Sequence, residues 1–272
     1  PPGGHRHKDN LGLFYLDQGD VILGDHGYLG DMPQNAWIKS AKSHNLVVVD
    51  DADQSPSSRI TKLQMMFTTP EASAVEFSST AYSACSEYRR LVVMIKGPQS
   101  ETFLVDVFRV TGGRRHAFRV FSDIGASDSA VGGIALTGVE LPPEPELPDF
   151  AGSIQKEHIY GLRDVRVAAA PSPGWRATWK ETARGYRLSM LSGVDKVEAS
   201  HGPGQETFSE LGRRVRYVDA VNEGQDVSST FVALHEPRGP DGAFPVAGAE
   251  LLDLPPNAGP GAVAVKIRSN WG

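Results

Sequence analysis

Residues 102–121 read TFLVDVFRVTGGRRHAFRVF. Two runs rich in β-branched and aromatic residues flank Thr111-Gly112-Gly113, a step that predicts a β-hairpin. The same signature recurs along the chain. Upstream, GLFYLD (12–17) and DVILGD (20–25) are split by Gln18-Gly19, and NLVVVDD (45–51), ITKLQMMF (60–67) and YRRLVVMIKG (88–97) follow. Downstream come GGIALTGVEL, YGLRDVRVAAA, WRATWKE, YRLSML, RRVRYVD, STFVALHE and GAVAVKIR. Roughly fifteen strand candidates punctuated by Gly and Pro predict an all-β fold. So many strands imply a large two-sheet antiparallel β-sandwich. Helical periodicity is confined to PQNAWIKSAK (33–42), so at most one or two short helices are expected. Pro-rich LPPEPELPDFA (141–151) reads as an extended connection, because β patterning resumes after it. Residues 1–272 are therefore taken as one domain.

Composition narrows the function. The chain is 40% hydrophobic, enough for a sizeable core, and carries a net charge of -6. That acidic balance weighs against nucleic acid as a partner. No apolar run is long enough for a membrane span. Cys85 is the single cysteine, so neither an internal disulfide nor a Cys-based zinc site is available. Cys85 itself is expected to be buried and inert.

Three segments concentrate metal-ligand chemistry: GGHRHKDN (3–10), LGDHGYLGD (23–31) and AKSHNLVVVDDADQ (41–54). Histidine and carboxylate are donors that zinc accepts. In a strand His5 and His7 would share a face, about 6–7 Å apart. Asp25 ends the next hairpin strand, and His44 begins a further one. By spacing alone this is a weak signal.

Taken in order, HRHKD (5–9), LGDHGYLGD (23–31), NAWIKSAKSHN (35–45) and VVVDDADQ (47–54) resemble the C-terminal β-sandwich of the heparinase II/III-like polysaccharide lyases. YRRLVVMIKG and FLVDVFRVTGG resemble the group's central strands. The resemblance implies β-elimination on a uronic-acid-containing, anionic polysaccharide. It implies that His7, Asp25 and His44 hold a structural Zn2+ ion and that His5 assists catalysis in the cleft. It also implies a preceding α/α-toroid domain that supplies a tyrosine acid/base. That domain is absent from this sequence, so the chain is expected to be part of a larger lyase, inactive or nearly so when isolated. Family habit points to a bacterial periplasm or to secretion. One departure is plain: Phe121-Ser122 stands where many relatives have a histidine, so heparin preference does not carry over.

Around these positions, Asp9 is read as capping a turn and orienting a histidine. Asn45 is read as satisfying backbone groups beside His44. Lys39, Lys42 and Trp37 are candidate substrate contacts, with core packing an equal reading for Trp37. Tyr28 is a minor cleft candidate. Trp175 and Trp179 read as packing. Asp50, Asp51 and Asp53 lack the spacing of a calcium loop and read as a turn. Arg114, Arg115 and Arg119 read as a solvated face, with a basic sugar-binding patch as the competing reading. The alternative function is a non-catalytic carbohydrate-binding or structural sandwich module. A cupin-like metal barrel fits the strand count less well.

Overall fold

The Gln18-Gly19 step forms the tight turn it signals. Gln18 (φ 49°) and Gly19 (φ 89°) are both left-handed. They join β1 (Tyr15–Asp17) to β2 (Asp20–Leu23) as an antiparallel hairpin. The computed structural model describes residues 6–27, 35–55, 60–98, 101–124, 134–142, 161–180, 184–204, 213–239, 242–259 and 261–271. Among them are seventeen strands in four sheets, one four-residue helix and one 3-10 turn. None of the described helices is long and apolar enough to cross a membrane.

Two large sheets dominate. One has eight strands, ordered β4 (Thr61–Thr68), β5 (Ala72–Ser79), β6 (Glu87–Lys96), β7 (Thr102–Thr111), β15 (Ser228–Pro237), β12 (Gly185–Met190), β11 (Trp175–Lys180) and β9 (Ile134–Thr137). The other has five, ordered β10 (Arg163–Ala169), β13 (Lys196–Pro203), β14 (Arg214–Glu223), β8 (Arg115–Phe121) and β3 (Val47–Val49). Every neighbouring pair is antiparallel.

Period-two patterning assigns the faces. In β7, Leu104, Phe108 and Val110 join the main core with Phe118, Trp175, Trp179, Val218 and Phe231. The alternate residues Phe103 and Val107 join a second cluster with Val232, Leu234 and Val246. The hairpin β16 (Val246–Leu251) and β17 (Val265–Ser269) contributes to that outer cluster. A third cluster, Trp37, Phe121, Val215 and Tyr217, includes outward residues of β8 and β14. With both faces of its central strands covered, the sequence there is nearly continuously apolar.

One sequence reading is corrected. Residues 102–121 do not form a hairpin. β7 pairs with β6 and β15, whereas β8 pairs with β14 and β3, so Gly112-Gly113 is a corner where the chain changes sheets. β14 and β15 cross between the same sheets beside it, and the two corners bond to each other: Gly112 N–H to Val227 O at 2.8 Å, Val227 N–H to Gly113 O at 3.0 Å and Gly224 N–H to Arg114 O at 2.9 Å. A Cβ on Gly112 (φ 102°) would lie 2.3 Å from Ala84 O, so the corner needs glycine for space as well as conformation.

A candidate metal centre

The helix α1 (Asn35–Ile38) and the 3-10 turn (Ala41–Ser43) replace the longer helix that 33–42 suggested. Ser40 caps the turn, its hydroxyl accepting from Lys42 N–H at 3.2 Å. His44 is the residue that closes this turn, not the start of β3 as its sequence position suggested. The turn therefore aims the imidazole. His44 Nδ1 lies 2.8 Å from Ser40 O, a carbonyl that can only accept, so Nδ1 carries the proton and Nε2 presents its lone pair.

That lone pair faces a cluster. His44 Nε2 is 3.0 Å from His7 Nδ1 and 3.0 Å from Asp25 Oδ1, and His7 Nδ1 is 3.5 Å from Asp25 Oδ2. Asp9 joins them: ligand atoms of His7, Asp9, Asp25 and His44 all lie within 4.8 Å of one another. Burial would raise the Asp25 carboxyl, but the neighbouring His44 and His7 rings outweigh it and hold the group well below the ordinary carboxylate range. Two imidazole nitrogens facing each other beside carboxylates need a proton or a cation between them. Two nitrogen and two oxygen donors match the set that zinc takes in tetrahedral sites.

The supports come from four directions. Asp25 follows β2, where a Cβ on Gly24 would stand 1.7 Å from Asp123 Oδ2. Asn45 clamps that end to β8, donating from Nδ2 to Gly24 O at 3.2 Å and accepting Phe121 N–H at 2.8 Å. Residues 6–10 form no strand; Lys8 N–H bonds to Lys39 O at 3.0 Å, and Gly12 N–H bonds back to Asp9 O at 2.7 Å. Asp53 accepts from Lys8 Nζ at 2.5 Å, Ser40 Oγ at 2.9 Å and Ala41 N–H at 2.9 Å, linking the His7 segment to the His44 turn. From the core, Arg90 Nη1 donates to Leu11 O at 2.6 Å and Asn45 O at 2.8 Å. Its other nitrogens grip buried Asp106 at 3.0 and 2.6 Å. Burial pushes the Asp106 carboxyl up, yet Arg90 and His235 outweigh it and draw it down to about 2.

His26 is a buried participant that the sequence reading passed over, although it sits beside Asp25 in the quoted motif. Its ring stacks on Phe121 at 4.7 Å, and Nε2 lies 2.8 Å from Tyr217 Oη. Burial lowers its pKa to about 3, so it is neutral.

The remaining candidates divide. His5 and Tyr28 lie outside the described residues. Trp37 is 6% exposed and meets Tyr217 edge-on, so it is a packing residue. Lys39 and Lys42 are half-buried beside the turn. Arg119 does not belong to a solvated face. It is 4% exposed, paired with Asp219 at 2.5 Å and donating to Lys42 O at 2.6 Å. Arg115 is likewise paired, with Asp51 and Glu198. Ser122, at the departure from the family pattern, is fully buried and donates to Ile22 O at 2.6 Å. Cys85 is half-buried rather than buried, and burial raises its thiol to about 11. Asp50 and Asp51 occupy a left-handed turn.

No protein-family model matches the chain, and no curated protein matches it. Solved structures do. The heparan sulfate lyase HepC from Pedobacter heparinus superposes with TM-score 0.65 at 13% identity, over 100% of this chain and 37% of that one. A heparinase III, the BT4657 gene product, gives 0.60 at 11% identity, over 97% and 35%. HI1317 gives 0.52 at 11% identity, over 82% and 83%. At these identities the likeness establishes the fold: the chain has a β-sandwich architecture shared with heparan sulfate lyase structures, and it spans little more than a third of their length.

Proposed function

We propose that this chain is the β-sandwich part of a polysaccharide lyase that cleaves uronic-acid-containing chains by β-elimination. In this reading His7, Asp25 and His44 hold a structural zinc ion, with Asp9 as a fourth donor. The observation that carries it is the convergence of those side chains, with the His44 lone pair fixed by Ser40 O. A four-donor set is closed, as structural zinc sites are. Bound zinc would supply a cross-link among the N-terminal segment, the end of β2 and the 3-10 turn.

The chemistry belongs to the residues around that cross-link. His5 stands two positions before His7, so fixing His7 restrains the backbone that carries His5. A histidine near its ordinary pKa can move protons at neutral pH. β-Elimination takes the proton at C5 of the uronate and returns one to the departing O4, with the double bond forming between C4 and C5. His5 would assist this, while a helical domain would supply the tyrosine and the group that neutralises the carboxylate. Lys39 and Lys42 add positive charge for an anionic polymer, with Tyr28 a further contact. A periplasmic or secreted setting accompanies the reading.

Elemental analysis of the full chain is expected to find about one zinc per chain, and His44→Ala to lose it. Wild-type protein without zinc after exposure to the ion would sink the metal assignment. In a protein that carries the helical domain, His5→Ala should cut turnover roughly 10²–10⁴-fold while zinc content holds. The chain alone should release no unsaturated uronate.

HI1317 favours a second reading, because that chain is itself mostly one such fold. A non-catalytic carbohydrate-binding or structural module would keep the zinc and bind glycan, and His5→Ala would change nothing.

A further inference from the structure

Residues 24–27 carry Asp25 past the end of β2 without strand pairing of their own. Asp25 Oδ1 accepts the His26 N–H at 2.8 Å and lies 3.0 Å from His44 Nε2. The aim of this carboxylate therefore depends on where the His26 backbone sits. The His26 ring fixes that backbone. It is 3% exposed, stacks on Phe121 with ring centroids 4.7 Å apart and planes 12° from parallel, and places Nε2 2.8 Å from Tyr217 Oη. Phe121 and Tyr217 are register partners on β8 and β14, and both are fully buried.

The hydrogen bonds assign the protons along this chain of groups. Pro203 O, at the end of β13, can only accept, and Tyr217 Oη donates to it at 3.0 Å. The hydroxyl has no second proton, so His26 Nε2–H is the donor in the link to Tyr217. Nδ1 is then a bare acceptor, buried with no hydrogen-bond partner among the described residues. An orphaned buried acceptor is destabilising, and an apolar side chain of similar size would fill the space without it. What the imidazole adds over such a filler is the Nε2–H bond, which ties ring and backbone to the five-stranded sheet.

We propose that His26 is a positioning residue for the metal centre: bonded to Tyr217 and stacked on Phe121, it locks the peptide that aims Asp25 at the ion. This rests on the zinc reading above and goes beyond it, since His26 is not among the four candidate donors.

Zinc binding by the full chain, read in competition with a chromogenic chelator, tests it. His26→Leu fills the space without the bond and should weaken binding about 10–100-fold. Tyr217→Phe removes the acceptor of the same bond and should weaken it too, which keeps the proposal testable if the leucine variant fails to fold. The double variant should bind no more weakly than the worse of the two, because both changes break one link. His26→Gln, whose amide can donate toward Tyr217, should recover most of the affinity. Urea unfolding in chelator confirms that each variant is folded. Wild-type affinity in either His26→Leu or Tyr217→Phe overturns the proposal, as do additive losses in the double variant. If the wild type takes up no zinc, the metal reading falls and this proposal with it; if the wild type binds and the variants bind equally well, this proposal alone falls.

Discussion

Asp53 is not one of the four candidate ligands, yet its carboxylate holds two of the segments that carry them. Lys8 is beside His7 and Asp9, while Ser40 and Ala41 open the turn that ends in His44. Burial pushes this carboxyl up, and the three donors outweigh that and hold it below its ordinary value. The sign follows: a depressed folded pKa contributes stability above about pH 4 that is lost as pH falls further. Asp53→Ala should therefore weaken zinc binding about 10–100-fold, the usual cost of losing an outer partner of a metal site. A competition titration against a chromogenic chelator reads this directly; unchanged affinity would show that the turn holds His44 unaided. The candidate ligands were legible through the ordered resemblance of HRHKD, LGDHGYLGD and NAWIKSAKSHN to the lyase sandwich, since spacing alone is a weak signal. Asp53 was legible only as a turn residue, since nothing local says that its acceptor oxygens serve a lysine 45 positions earlier.

At the scale of elements, the β8–β14 ladder shows what a pattern of apolar runs conceals. Arg119 and Asp219 are directly opposed in register, 4% and 2% exposed, and joined through two pairs of atoms at 2.8 and 2.5 Å. The guanidinium also reaches Lys42 O, so this strand pair holds the turn that aims His44. Asp219→Ala leaves a buried guanidinium uncompensated and should cost about 3–5 kcal/mol. Urea unfolding checks this; a loss below about 1 kcal/mol would place the pair among solvent-screened surface bridges. RRHAFRVF reads as a solvated face because it carries three arginines, and the carboxylate that pairs with Arg119 lies a hundred residues away. The Gly112-Gly113 corner misleads for a related reason. A hairpin and a sheet-to-sheet corner use the same local chemistry, glycine between apolar runs. Which strands pair is decided by β15 and β14, far along the chain. The Gln18-Gly19 hairpin was legible because both partners flank their own turn.

For the whole molecule, the packing of two sheets around buried central strands sets the response to acid. Burial lowers the pKa of His26, His116, His201 and His235. At His235 the neutral form is built in: Nε2 donates to Asp106 at 3.1 Å, leaving Nδ1 to accept from Tyr186 Oη at 2.6 Å. Such groups contribute stability that is fully present above about pH 6.5, the unfolded value, and is lost as pH falls toward each folded pKa. For His26, whose folded value is about 3, the loss at pH 5 is about 2 kcal/mol. The urea midpoint, measured in chelator at constant ionic strength, should fall steadily from pH 7 to pH 5. His26→Gln should show a shallower fall from a lower start, since the glutamine does not titrate. Chelator matters because a bound metal, as proposed for the histidine cluster, would add its own pH dependence in the same window. A midpoint that stays level or rises between pH 7 and pH 5 would mean that these rings meet water, and the layered packing around them would have to be redrawn.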